Sequence, residues 1–448
     1  MGLPCGCHTS TSRPGFVLDS PGADAASTGF RTGEYQGGRV TATEEPHDER
    51  VVVVGAGWLF ASGISQYTYR LSSALADEYP LGTLLMRRLV PVRFYPGRNH
   101  VGGSGAHPVY PANVPVYDGV DWYWGRSLTG AFRYIDVHDP TVLVLQWWTG
   151  AVLHTYLRLA RYAARRGARV VMEWHESQDV GEAALPGARR YVQTLMPRLL
   201  PHVDAHVVHS EFDGHAIRAA YSLGEAPIYV IPHGPYDHLI DSGITETSST
   251  DNQPFQLLYF GVIRPFKGVE DLVAAFSMLD PDQANAFRLC VVGETWESWT
   301  APDDAIARSR YAHLIERVDR YVTDCELAAF FKRADAIVLP YHRSSASGPL
   351  HIAMSAGLPV VVSDVGGLAE AVQGYPGALL VRPRDPAALR DALLQLLERR
   401  GRRYADPHSW SRTVQGYQHL IGRLNNGAAT KSRQQSELSA TVAGADRP

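Results

Sequence analysis

The chain has 448 residues, of which 45% are hydrophobic and 20% are charged, and its formal net charge is -4. This length exceeds one ordinary hydrophobic core and predicts two domains with tails. The weakly negative charge and the scattered basic residues exclude a polyanion-binding function, so we expect no nucleic-acid partner.

Cysteine usage and hydropathy predict a cytoplasmic protein. The four cysteines form no disulfide framework, no apolar run reaches bilayer-spanning length, and the first residues lack the apolar core of a signal peptide. An arginine cluster at 161–169 and the pair Trp147-Trp148 are compatible with contact to a membrane surface. The solvated face of a helix and core packing explain these two features more simply, so we expect no membrane contact.

The first structured segment is predicted at Arg50, after a polar tail of residues 1–49. Val51–Val54 reads as a buried strand, followed by a glycine-rich loop that ends at Gly63, where a helix begins. A dinucleotide fingerprint fails because its third glycine falls on Phe60. Gly63 is interpreted either as a point where the backbone approaches a ligand or as a plain turn glycine.

The segment Pro91–Asp139 is rich in Tyr, Pro, Gly and Trp and is predicted to contain no core elements. It suits an acceptor pocket, and a surface insertion is the equal alternative. A regular alternation of strands and helices follows from Thr141, which predicts a parallel sheet. The first domain is predicted at 50–235, and a Ser/Thr-rich linker at 236–255.

His175 directly follows the predicted strand Arg169–Glu173, at the carboxyl edge where open sheets of this kind bind ligands. We interpret it as a site histidine, with a structural histidine as the alternative. Its neighbours Glu173 and Glu176 are expected to be solvated or structural, because no convincing pair of catalytic carboxylates is found.

The second domain is predicted at 256–402 and repeats the alternation. Its first strand, Gln256–Phe260, leads into a loop with two cations, Arg264 and Lys267, beside glycines at a helix start. This arrangement favours anion binding over a solvated role. Further along, a short strand is predicted at Arg320–Val322.

The stretch Ser344–Gly367 contains a Ser/Gly turn, a small-residue helix beginning near Gly348, and an apolar strand. The turn follows the strand Asp335–Leu339, so the helix start is expected to face the crevice with unpaired N–H groups and bind an anion. A plain buried crossover is the alternative. A final helix is predicted at 403–424, followed by a polar tail at 425–448.

These motifs, FGVIRPFKG at Phe260–Gly268 above all, resemble those of retaining nucleotide-sugar glycosyltransferases of the GT-B fold. The resemblance covers residues 50–424. It implies an α/β architecture of two doubly wound Rossmann-like domains that face a cleft, with the final helix returning to the first domain. It also implies that Arg264 and Lys267 hold the donor diphosphate.

The remaining site assignments are also implied by the resemblance. Backbone N–H groups of the helix start would bind the diphosphate, and Gly63 would approach the same phosphates. His175 would face the transferred sugar or the acceptor. The donor-binding positions so implied, including those that border the nucleobase, are Gly63, Ser347, Gly348, Leu350, His351, Tyr321 and Val322.

The sequence departs from the family at two positions. Where the family commonly carries two glutamates that contact the sugar and the ribose, this chain has Ser344 and Ile352. His351 is one helical step from the second position, and we interpret it as a substitute that bonds a ribose hydroxyl. Recognition of the sugar cannot be carried over from the family.

The predicted function is retaining transfer of a hexose-type sugar from a UDP- or GDP-linked donor to a hydroxyl of a small polar, glycan or natural-product acceptor. His175, Arg264 and Lys267 are the predicted catalytic residues. No metal and no cofactor other than the nucleotide-sugar co-substrate are expected, because fixed cations and helix ends can stabilise the leaving diphosphate. The alternatives are a sugar-nucleotide 2-epimerase and a non-catalytic partner subunit of the same fold.

Overall fold

The computed structural model describes residues 49–57, 63–88, 109–122, 124, 126–176, 187–237, 253–296, 299–344 and 346–426. The predicted tails therefore lie outside the described residues, except at their inner ends, and so does most of the predicted linker. Among the helices of the described ranges, none has the length and apolarity needed to cross a bilayer.

The first domain is built on seven parallel strands with helices between them. The strands are β1 (Val51–Ala56), β2 (Leu81–Arg88), β3 (Val116–Asp121), β4 (Val142–Trp147), β5 (Arg169–Trp174), β6 (Ala205–Val208) and β7 (Ile228–Val230). The helices are α1 (Gly63–Leu75), α2 (Arg126–His138), α3 (Leu153–Arg165), α4 (Ala188–Leu199) and α5 (Glu211–Ala220). The strand order is β3-β2-β1-β4-β5-β6-β7.

The central strands are continuous apolar runs because both faces of the sheet are covered. Every residue of β1 is buried. Val52 and Val54 belong to the core on one face, and Val51 and Val53 belong to the core on the other. Burial on both faces is what selects β-branched runs in parallel sheets.

The second domain repeats this architecture with six parallel strands. The strands are β8 (Phe255–Phe260), β9 (Phe287–Val292), β10 (Ile315–Val318), β11 (Ala336–Leu339), β12 (Val360–Ser363) and β13 (Ala378–Val381). The helices are α6 (Val269–Ser277), α7 (Pro281–Asn285), α8 (Ala301–Arg308), α9 (Asp324–Arg333), α10 (Gly348–Ser355), α11 (Gly366–Ala371) and α12 (Pro386–Leu397).

The strand order of the second sheet is β10-β9-β8-β11-β12-β13. Each sheet therefore reverses its winding beside its first strand, between β1 and β4 in one domain and between β8 and β11 in the other. Such switch points open a crevice at the carboxyl ends of the strands. The predicted fold class, two doubly wound Rossmann-like domains, is confirmed.

The last helix, α13 (410–426), packs against the first domain. The Trp410 indole contacts the backbone at Gly234, and the Thr413 hydroxyl donates to the carbonyl oxygen of Pro232 at 2.9 Å. Leu420 joins the core beneath β1. The chain thus crosses to the second domain and returns to complete the core of the first.

The strand predicted at Arg320–Val322 is wrong, because the strand lies earlier, at β10, and Arg320–Val322 is irregular. β10 is an edge strand with one neighbour, β9. An edge strand tolerates charged residues such as Glu316 and Arg317. Because of these residues β10 does not form an apolar run, so it was not predicted from the sequence.

The prediction of no core elements in Pro91–Asp139 is also wrong. The described part of this segment contains β3 and α2. β3 is the edge strand of the first sheet and includes Asp118 and Gly119, residues that are depleted in strands. Its pairing with β2 overrides that local preference.

Candidate active site

A cavity of about 540 Å³ opens between the two domains. Glu176, just beyond β5, and Phe212, in the first turn of α5, line it from the first domain. The rest of its lining comes from the second domain: Val262, Arg264, Phe266, Lys267, Trp296, His342, Arg343, Ser344, Ala346, Val365 and Gly366. The cavity therefore lies beyond the switch point of the second sheet, where a ligand crevice is predicted.

Three cations from the second domain line the cavity, and each rests on an aromatic ring. The Lys267 ammonium lies 3.6 Å from the centroid of the Tyr341 ring, the Arg264 guanidinium carbon 4.5 Å from that of Trp296, and the Arg343 guanidinium carbon 4.5 Å from that of Phe266. Cation–π contacts hold a positive charge in place without neutralising it. The three charges together suit a multiply charged anion.

The loop that carries Lys267 is shaped by the glycine that follows it. Pro265–Lys267 forms one turn of 3-10 helix, and Gly268 then takes a left-handed conformation with φ of 63° before α6 begins. A Cβ at Gly268 would lie 2.1 Å from the carbonyl oxygen of Pro340. Both the positive φ and the close backbone approach require glycine. The glycine thereby fixes the loop against the end of β11.

Glu176 faces the cations across the cavity. Burial raises the pKa of its carboxyl to about 7, although the charges of Lys267, Arg264 and Arg343 oppose the rise. Burial likewise lowers the pKa of Lys267 to about 7. From the sequence we expected Glu176 to be solvated or structural. It comes two residues after β5, so the position at the carboxyl edge of the sheet that marked His175 as a site residue marks Glu176 equally.

The start of α10 and the glycine loop of the first domain both contact Tyr236. The Ser347 hydroxyl caps the helix by accepting from the N–H of Leu350 at 3.4 Å. The Tyr236 hydroxyl donates to the carbonyl oxygen of Gly63 at 2.8 Å, and its ring would contact a Cβ at Gly348. Gly63 and Gly348 are therefore brought together, but on Tyr236 and outside the lining of the cation cavity.

His175 belongs to a buried polar cluster around Glu173. The Glu173 carboxylate accepts from the Tyr67 hydroxyl at 2.7 Å and from the Gln146 amide at 3.0 Å. The Nε2 atoms of His175 and His209 lie 3.6 and 3.9 Å from its two oxygens. Burial raises the pKa of Glu173, but these imidazoles and the Tyr67 hydroxyl outweigh it and lower the pKa to about 2.

His351 lies at the contact between the domains. Its ring stacks on His233 of the first domain, with centroids 4.5 Å apart and planes 18° apart, and burial lowers the pKa of His351 to about 3. His351 does not line the cavity that contains Arg264, Lys267 and Arg343. Of the positions predicted to border the nucleobase, Tyr321 is 42% exposed and Val322 is buried, and neither lines the cavity.

A second interdomain contact lies at Phe212, which lines the cavity. The Glu370 carboxylate, in α11, accepts from the backbone N–H groups of Glu211 and Phe212 at 2.7 and 2.8 Å. These N–H groups belong to the first turn of α5, where a helix carries a partial positive charge. The carboxylate therefore joins the two domains at a favourable position.

The second domain matches a known protein family. Residues 254–399 match the family Glycosyl transferases group 1. Glycogen synthase from Mycobacterium tuberculosis (strain CDC 1551 / Oshkosh) is 36% identical over 149 residues, which are 32% of this chain and 34% of that protein. D-inositol 3-phosphate glycosyltransferase from Frankia alni is 33% identical over 173 residues, 37% of this chain and 40% of that protein. These matches span well under half the length of the relatives.

Solved structures match over both domains. Sucrose-phosphate synthase from Thermosynechococcus elongatus has a TM-score of 0.55 at 18% identity, covering 88% of this chain and 100% of that one. An alpha,alpha-trehalose-phosphate synthase (UDP-forming) from Burkholderia vietnamiensis has a TM-score of 0.54 at 13% identity, covering 90% and 100%. At these identities the likeness establishes the fold, which is GT-B.

Proposed function

We propose that this chain catalyses the retaining transfer of a hexose-type sugar. Its fold is GT-B, and its residues 254–399 match the family Glycosyl transferases group 1. The donor is a UDP- or GDP-linked sugar, and the acceptor is a hydroxyl of a small polar, glycan or natural-product molecule. The observation that carries the proposal is the set of three cations, Arg264, Lys267 and Arg343, that line one interdomain cavity.

The cations act on the leaving group. When the bond between the anomeric carbon and the phosphate oxygen breaks, its electron pair goes to that oxygen and the diphosphate gains negative charge. Arg264 and Lys267 stabilise this charge, and their aromatic supports fix them before the reaction begins. A metal ion at the diphosphate is not needed for this step.

The acceptor then attacks on the face that the diphosphate leaves. The departing phosphate oxygen takes the proton of the acceptor hydroxyl, so no pair of catalytic carboxylates is required. His175, beyond the end of β5, is proposed to face the sugar or acceptor. Closure of the domains, to which Glu370 contributes, would keep water from competing as an acceptor.

Glu176 is our candidate for sugar recognition. Ser344, which stands where the family commonly has a glutamate, lines the same cavity as Glu176. A carboxylate supplied from the first domain can accept a hydrogen bond from a sugar hydroxyl beside the cations. The other predicted donor positions remain proposals: Gly63, Ser347, Gly348, Leu350, His351, Tyr321 and Val322.

The names of the sequence relatives support the acceptor class. A glycogen synthase and a D-inositol 3-phosphate glycosyltransferase point to hydroxyls of glycans or cyclitols. The family match covers residues 254–399 of the second domain, which binds the donor in this proposal. The acceptor itself is proposed to bind the first domain.

The proposal is tested by incubating the protein with UDP-, GDP- and dTDP-sugars and a panel of hydroxyl acceptors. We expect one donor class to raise the melting temperature and to release nucleotide only when an acceptor is present. Lys267→Ala should lower transfer by about 100-fold or more, since it removes a charge that stabilises the leaving group. Lys332→Ala is the matched control, because Lys332 does not line the cavity. Near-normal turnover of the Lys267 variant, or binding without transfer to any acceptor, would overturn the assignment.

A further inference from the structure

We propose that Glu173, His175 and His209 form a binding site for a zinc-class divalent metal ion at the carboxyl edge of the first sheet. One ligand atom from each residue lies within 4.8 Å of the others. Two imidazole nitrogens with one carboxylate oxygen are a donor set that suits Zn²⁺ in proteins. From the sequence we expected no metal in this chain.

The topology of the sheet brings these residues together. Glu173 is in β5 and pairs with Val207 of β6. His175 comes directly after β5, and His209 comes directly after β6. Parallel neighbouring strands end at the same edge of the sheet, so both imidazoles lie beside the carboxylate although they come from separate segments of the chain.

Both imidazoles offer an unused nitrogen. The Nε2 atoms of His175 and His209 are buried and have no hydrogen-bond partner, and only 9% and 5% of these side chains are exposed. Leaving such a buried polar atom unsatisfied costs about 1–3 kcal/mol. A ligand that accepts lone pairs from both nitrogens removes this cost.

The partner of His209 fixes which nitrogen is available. Its Nδ1 lies 3.0 Å from the carbonyl oxygen of Ile231, to which only a protonated nitrogen can donate. In the neutral ring the Nε2 lone pair then points at the carboxylate. This pairing of a histidine with a backbone carbonyl is how metal-binding proteins orient their ligands.

The carboxylate is oriented in the same way. Glu173 has no exposed surface, and its oxygens accept from Tyr67 and Gln146, which leaves a lone pair on each oxygen for a further contact. A buried negative charge requires a counter-charge, which a divalent cation supplies.

A tetrahedral ion requires the cluster to contract. The two Nε2 to oxygen distances, 3.6 and 3.9 Å, run to different oxygens of Glu173 and are too long for good hydrogen bonds. With metal–ligand bonds of about 2.0–2.1 Å, the ligand atoms of a tetrahedral site lie roughly 3.4 Å apart. The three ligand atoms of the cluster lie within 4.8 Å of one another, so the side chains need to move closer by roughly 1 Å, and the fourth position is left for water.

The inference goes beyond the proposed function and does not rest on it, because metal binding can be measured without donor or acceptor. The two share His175. If both are correct, Zn²⁺ and the sugar compete for this imidazole, and zinc inhibits transfer.

The test uses the full chain without an affinity tag, stripped with a chelator. Zn²⁺ is titrated by calorimetry and Co²⁺ by visible absorption, where tetrahedral coordination gives intense bands. We expect one equivalent of either ion per chain and a higher melting temperature with Zn²⁺. His209→Gln and Glu173→Gln should each weaken Zn²⁺ binding at least about tenfold.

Two controls make the result specific. His206→Gln removes a buried histidine that lies in β6, three residues before His209 and outside the cluster, and should keep wild-type affinity. Cys5→Ser with Cys7→Ser removes thiols that also bind soft metals and should likewise keep it.

Several results would overturn the site. They are the absence of binding in the wild-type chain, unchanged affinity in both cluster variants, and loss of binding with the cysteines. A sulfur-to-cobalt charge-transfer band would also exclude this donor set. Because the wild-type spectrum and the cysteine variant decide between thiol and imidazole ligands, the test stands even if a cluster variant fails to fold.

Discussion

The Lys267 ammonium lies 3.6 Å from the centroid of the Tyr341 ring, which places a buried positive charge against an aromatic face at the end of β11. The ring restricts the ammonium without neutralising it. Burial lowers the pKa of Lys267 to about 7, so near neutral pH the amine is only partly protonated. A bound anion favours the protonated form and is attracted by its full positive charge.

This pKa predicts that donor affinity depends on pH. In the empty cavity the Lys267 ammonium is present below about pH 7 and is lost above it. A bound diphosphate raises the pKa of Lys267, so binding takes up a proton at higher pH and affinity falls as pH rises. The dissociation constant of UDP-glucose should increase about tenfold from about pH 6 to about pH 8, as measured by calorimetry.

Lys267→Arg provides the matched control for the pH profile. Its guanidinium stays protonated throughout this range, so only the weaker contribution of Glu176 should remain. A steep profile in the arginine variant, or a flat profile in the wild type, would contradict the assignment of the titration to Lys267.

Glu176 should oppose diphosphate binding above pH 7. Its pKa is raised to about 7 by burial, so the carboxyl is neutral below this pH and negatively charged above it, where it repels the donor phosphates. Glu176→Gln keeps the shape and removes the charge. At about pH 8 this variant should bind UDP roughly two- to threefold more tightly than wild type, and below about pH 6 the two should bind alike. Equal affinities at both pH values would show that the carboxylate does not sense the phosphates.

Glu370 should slow the hydrogen–deuterium exchange of two backbone amides, those of Glu211 and Phe212. Glu370→Gln weakens the hydrogen bonds that the N–H groups of Glu211 and Phe212 donate, and it removes a charge at the start of α5. The free energy of opening this contact should fall by about 1 kcal/mol, so these amides should exchange with deuterium roughly fivefold faster. Glu225→Gln, an exposed change on the first domain, is the control. Unchanged exchange at both amides would mean that the contact does not persist in solution.

Alanine substitutions at Gly268 and Gly401 separate two contributions to the loss of folding stability. One is the collision of the added Cβ with its surroundings, and the other is the strain of a positive φ. Both have a positive φ, of 63° and 69°, but a Cβ at Gly401 meets open space. Gly401→Ala should destabilise by about 1 kcal/mol, and Gly268→Ala by roughly 2–5 kcal/mol because it also collides with Pro340. Thermal or denaturant unfolding measures both. Equal losses would show that the loop at Gly268 relaxes freely.

Much of the fold was predictable because it depends on local signals. Doubly covered strands such as Val51–Val54 are apolar runs, and glycine at 63 and 348 marks helix starts. β3 and β10 were missed because their polar residues satisfy no apolar pattern and their pairing is decided by a distant neighbour.

The site was less predictable because its groups come from distant segments. Arg264 and Lys267 were predicted from their loop, and both line the cavity. Their aromatic supports and Glu176 depend on how two domains meet, which no local pattern records. The same is true of Tyr236, which occupies the space between Gly63 and Gly348.

The return of the last helix to the first domain has a mechanical consequence. The chain passes between the domains twice, once after Tyr236 and once between α12 and Trp410. Two covalent connections restrict the relative motion of the domains more than a single linker would. The two crossings therefore limit how far the domains can separate.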